Sequence, residues 1–61
     1  MSYQVGDLLK DKDLEHLVLL VKHLGGISWH VWYVNANEYA NVYETSLQAH
    51  YTKVEAENGQ V

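Results

Sequence analysis

LVLLVKHLGGISWHVWYV, residues 17–34, admits two readings, and the choice between them sets the fold. Its first half, extended back to Asp13, fits an amphipathic helix. Leu14, Leu17, Val18, Val21 and Leu24 recur at helical spacing, with Asp13 placed as an N-cap and Gly25 as a stop. Leu19 and Leu20 fall outside that stripe. The double glycine is followed at once by ISWHVWYV, residues 27–34, rich in β-branched and aromatic side chains that suit a pleated strand. Two apolar runs separated by a glycine pair signal a hairpin. The strand reading is preferred, with strands over 16–24 and 27–34.

Outward from this hairpin the alternation continues. NAN, residues 35–37, suits a turn, because asparagine tolerates positive φ and bonds its own backbone. EYANVY, residues 38–43, reads as a strand, ETSLQAH, residues 44–50, as one helical turn, and YTKV, residues 51–54, as a last short strand. Upstream, YQVGDLL, residues 3–9, reads as a strand kinked at Gly6, and KDKDLE, residues 10–15, as a charged loop. The expectation is all-β: one small five-stranded barrel over residues 1–54, with a short helical turn before the last strand. EAENGQV, residues 55–61, reads as a flexible acidic C-terminal tail.

Registers follow from the turns. A turn centred on Ala36 and Asn37 pairs Asn35 with Glu38, Tyr33 with Ala40 and Val31 with Val42. Opposed residues share a face. One face then holds Trp29, Val31, Tyr33, Ala40 and Val42 and makes the better core. The other holds His30, Trp32, Val34, Tyr39, Asn41 and Tyr43. In the first hairpin, a two-residue Gly25-Gly26 turn would bury Lys22 opposite Trp29, at a cost of several kcal/mol. A three-residue loop with a glycine bulge avoids this, placing Leu19, Val21 and His23 inward and Leu20 and Lys22 outward.

Composition narrows the function. The 61 residues hold no cysteine, so disulfides and thiolate zinc sites are excluded. A chain of about 60 residues buries only about 60% of its unfolded surface, which leaves a dense core or self-association to stabilise it. Eight Asp and Glu stand against four Lys, with no Arg. Phosphate contacts come from Lys and Arg, so direct nucleic-acid binding is disfavoured. No apolar run approaches the roughly 20 residues of a membrane span. No basic stretch followed by an apolar one marks a signal peptide, so a cytoplasmic protein is expected, in a host cytoplasm or a virion included.

Two short motifs, Val5-Gly6-Asp7-Leu8 and Tyr43-Glu44-Thr45-Ser46-Leu47, flank the aromatic hairpin. In this order the pieces resemble small Src-homology-3-like (SH3-like) barrels of the KOW and Tudor-like kind, especially short phage-encoded ones. The resemblance spans residues 3–54. It implies a barrel in which the Y-E-x-x-L turn drops a leucine into the core, and a phage-type accessory role. Three features depart from the family. The proline-groove stretch of peptide-binding members is missing, the charge is acidic where nucleic-acid binders are basic, and only part of a methyl-lysine cage could form. Fold likeness assigns no function by itself.

Trp32, Tyr39 and Tyr43, with His30 beside them, are the candidate partner-binding surface, since Trp and Tyr are typical interface anchors. The competing reading folds loop 10–15 over them as a satellite core. His16, His23, His30 and His50 lack zinc-ligand spacing, so no metal is expected. The cluster Asp7, Asp11, Asp13 and Glu15 lacks a calcium loop's offsets and is read as a solvated loop, with contact to a basic partner as the functional alternative. No nucleophile, P-loop or cofactor motif is present, so no enzyme, cofactor or small-molecule substrate is expected. The functional expectation is a non-enzymatic interaction module that binds a protein partner or itself. A KOW- or Tudor-like nucleoprotein module, or a structural subunit of a homo-oligomer or viral particle, is the alternative.

Overall fold

A computed structural model describes residues 3–54, and the expected tail at 55–61 lies outside the described residues. Five strands and one helix follow in chain order: β1 Leu8–Asp11, β2 Leu17–Gly25, β3 Ser28–Tyr33, β4 Glu38–Tyr43, α1 Glu44–His50 and β5 Tyr51–Lys53. The strands form one antiparallel sheet in the order β4-β3-β2-β1-β5. There is no helix across residues 14–24; the strand alternative holds. The sheet does not close: β4 and β5 are its edges.

The core is Leu9, Val18, Leu20, Trp29, Val31 and Leu47. Five of these come from one face of the sheet, and Leu47 comes from α1. A seven-residue helix is only about 10 Å long. It cannot cover a flat five-stranded sheet, so the sheet must bend around its own inner face. The nine-residue β2 supplies the bend, with bulges between Leu20 and Lys22 and between His23 and Gly25.

The first bulge resolves the lysine problem differently from the expected loop. Leu20 lies opposite Val31 and is fully buried, as is Val18 opposite Tyr33. Val21 is the extra residue, and beyond it Lys22 falls opposite His30, exposed. Inward Leu20 and outward Lys22 have the same sequence parity, so only a residue inserted between them satisfies both. The assignment of Leu19 inward and Leu20 outward is thereby corrected, and Leu19 faces outward opposite Trp32. The turn itself is Gly26-Ile27, between Gly25 and Ser28. Gly26 has φ +55° and Ile27 is not positive, the pattern of a type II′ hairpin turn.

The second hairpin is shifted by two residues from expectation. Tyr33 pairs with Glu38, Trp32 with Tyr39, Val31 with Ala40 and Trp29 with Val42. The loop is Val34–Asn37, closed by the Tyr33 carbonyl, which accepts from the N–H groups of Ala36 (3.2 Å) and Asn37 (2.8 Å). Asn37 alone in this loop has positive φ, +58°, whereas a two-residue turn of the hairpin type I′ needs two such residues. A shift of two keeps every side chain on its expected face.

The opening segment also differs. Residues 3–7 are not a strand; Asp7 N–H donates to the Gln4 carbonyl in a turn at Val5-Gly6, with Gly6 at φ +96°. The strand begins at Leu8 and takes in Lys10 and Asp11, which were expected in the loop.

Candidate functional site

The sheet has an outer face, built from the residues that alternate with the core. The registers place Leu8 opposite Leu19, Leu19 opposite Trp32 and Trp32 opposite Tyr39. One straight row of apolar and aromatic side chains therefore crosses four strands, about 14 Å at roughly 4.8 Å per strand. Tyr39 is 61% exposed, and Leu8, Leu19 and Trp32 are half-buried. The neighbouring row is Lys22, His30 and Asn41.

Side-chain contacts lock the centre of this face. The Tyr39 ring lies 4.6 Å from that of Trp32, tilted, and 5.2 Å from that of His30, stacked. His30 Nδ1 and Asn41 Oδ1 are 2.7 Å apart. An amide oxygen only accepts, so this bond assigns the proton to Nδ1. Aromatic pairs of this geometry contribute about 0.5–1.5 kcal/mol beyond burial. These contacts tie His30, Trp32, Tyr39 and Asn41 to one another across β3 and β4.

Of the four expected surface residues, His30, Trp32 and Tyr39 come together. Tyr43 is on the same face but opposite Ser28, where it lines a shallow hollow with Leu24, Ser28, Asn41 and Val42. It is 61% exposed. The sequence reading missed Leu8 and Leu19, because the bulge that turns Leu19 outward has no sequence marker.

Charge is unevenly distributed over the two faces. Strand positions on the outer face carry Lys10, Lys22 and His30 and, among the described residues, no Asp or Glu. The carboxylates are employed elsewhere. Asp7 pairs with Lys53 at 3.4 Å. Glu44 accepts the indole N–H of Trp29 at 3.1 Å on the core side. Asp11 Oδ1 accepts the backbone N–H groups of Asp13 (2.7 Å) and Leu14 (2.8 Å), which hold its carboxyl below the usual value.

The charged loop does not fold over the aromatics. Lys12 N–H donates to the His50 carbonyl at 2.9 Å, and Lys12 Nζ to that of Ala49 at 3.4 Å, so the loop caps the C-terminal end of α1. Leu14 stands at that end of the molecule, beside Tyr33, Ala36 and Tyr51. Burial raises the Tyr51 phenol above its usual value.

The other histidines do not converge. The His23 ring packs 4.6 Å from Trp29 and its Nε2 meets the Gly26 carbonyl at 2.9 Å. Among the described residues no three His, Asp or Glu side chains gather as metal ligands, and no helix is long and apolar enough to cross a membrane. What the arrangement offers is an apolar and aromatic surface with a cationic margin. Set against family models, curated proteins and solved structures, the chain matches none.

Proposed function

We propose that this chain is a non-enzymatic interaction module, an SH3-like domain that binds a protein partner through the outer face of its sheet. The carrying observation is the row Leu8–Leu19–Trp32–Tyr39, apolar and uncovered at its aromatic end. The SH3-like reading is supported by the strand order, the glycine turn before β1 and Leu47 seated in the core by α1. Lys10 and Lys22 on a face without carboxylates favour a partner segment that is apolar with acidic flanks.

The test is affinity capture from the native host with the wild-type protein and Trp32→Ala as baits. A partner held by the wild type and released by a folded Trp32→Ala supports the reading. Equal capture by both baits contradicts it.

The same lysines and stacked rings give a second reading, single-stranded nucleic acid laid across the face. It requires binding to oligonucleotides that falls steeply as salt rises. Binding that is absent at low salt removes it.

A further inference from the structure

Strand β4 ends the sheet, so one side of its backbone has no neighbouring strand among the described residues. Antiparallel ladders alternate: every second residue exchanges both hydrogen bonds with its neighbour, and those between turn theirs away. The phase is fixed by Glu44 N–H donating to the Ile27 carbonyl at 2.6 Å, in the register that sets Val42 against Trp29. Glu38, Ala40 and Val42 therefore bond to β3. The backbone groups of Tyr39 and Asn41 and the N–H of Tyr43 point to the open side, while the Tyr43 carbonyl, at the N-cap of α1, takes the first helical bond, from Leu47 N–H.

Exposed edges are normally blunted by proline, lysine or a bulge. β4 has none of these: its six residues are unbroken by any register shift and carry one charge, Glu38. The other edge, β5, is three residues long and holds Lys53, paired with Asp7.

We propose that β4 pairs with β4 of a second copy, antiparallel, about a twofold axis through Asn41. Asn41 then opposes Asn41 of the second copy, and Tyr39 opposes its Tyr43. This register pairs all three residues, with two bonds between the Asn41 residues and one, Tyr43 N–H to the Tyr39 carbonyl, in each outer pair. A shift of two residues leaves one of the three unmatched. Tyr39, Asn41 and Tyr43 all belong to the outer face, so the same register also joins outer face to outer face and inner to inner. No like charges oppose each other between residues 39 and 43. Only the ends bring Glu38 near Glu44 of the other copy. A small chain with six buried side chains and no cysteine gains from such association. The interface is isologous, so assembly stops at two. It does not depend on the outer-face reading, because pairing can hold whether or not that face has a partner.

Sedimentation equilibrium tests it. A single strand pair makes an interface of the small, transient class, so loading runs from about 10 μM to about 1 mM. The mean mass should rise from 7.0 kDa toward twice that value, and more readily as salt screens the glutamates. Asn41→Lys and Asn41→Glu each set a charge against itself across the axis, and each should weaken pairing about tenfold or more. An equimolar mixture of the two should restore dimers. In the wild type, exchange of the Asn41 and Tyr43 amide protons should slow as concentration rises, a readout that needs no variant. A mass fixed at 7.0 kDa, a species larger than a dimer, dimers unaffected by both substitutions, or exchange at those amides independent of concentration would each overturn the proposal.

Discussion

The indole N–H of Trp29 is a polar atom carried into the core by a side chain only 3% exposed. Glu44 Oε1 receives it, and the same residue starts α1. Removing the acceptor leaves a buried donor unmatched, which costs about 1–3 kcal/mol. Glu44→Ala should therefore lose about that much stability in urea unfolding, and Glu44→Gln, which keeps an acceptor oxygen, less than about 1 kcal/mol. Asp11 acts through charge as well as geometry. Its two backbone N–H bonds lower its folded value, so its contribution is complete above the unfolded value of about 3.9 and fades as pH falls through the folded one. Asp11→Asn should melt below the wild type at neutral pH, and the two melting curves should converge as pH drops below about 4. A gap unchanged down to pH 2 would show that the charge contributes nothing.

Strand β2 carries the decisive local irregularity. Its bulge at Val21 lets Leu20 fill the core while Lys22 two residues later meets water. Deleting Val21 removes the inserted residue and leaves a regular ladder, with Leu20 opposite Val31 and Lys22 still outward opposite His30. The deleted chain should therefore keep a cooperative urea transition and lose less than about 3 kcal/mol, since it forfeits the bend and not the core. Lys22→Leu in the intact chain should shift stability by no more than about 0.5 kcal/mol. Complete unfolding of the deletion would mean that Lys22 had turned inward and would refute Val21 as the extra residue. The strand–turn–strand character of this region was legible, because β-branched and aromatic residues flank a glycine pair. The faces of β3 and β4 were legible too, since a two-residue register error preserves side-chain parity. The orientation of Leu19 and Leu20 was not. Five apolar residues in succession, Leu17 to Val21, carry no alternation to read, and nothing in the composition marks Val21 as the extra residue.

At the scale of the molecule, one sheet separates two kinds of surface. Inside, six side chains from three strands and α1 make the buried core. Outside, a row of apolar residues ends in stacked rings, with lysines beside it and the carboxylates drawn off to the turns, the helix and the ends. The chain's overall acidity conceals this division, which is why the sequence pointed to a basic partner while the proposal from the face is one with acidic flanks. The two tryptophans, three residues apart, lie on opposite sides of the sheet, and the functional reading depends on that separation. Equilibrium urea unfolding of Trp29→Ala and Trp32→Ala tests it most directly. Trp29→Ala should lose about 3–5 kcal/mol, enough to unfold most of a domain this small. Trp32→Ala should keep a cooperative transition and lose less than about 1.5 kcal/mol, mainly its ring contact with Tyr39. Equal losses for the two would place Trp32 in the core and leave the outer face without its anchor.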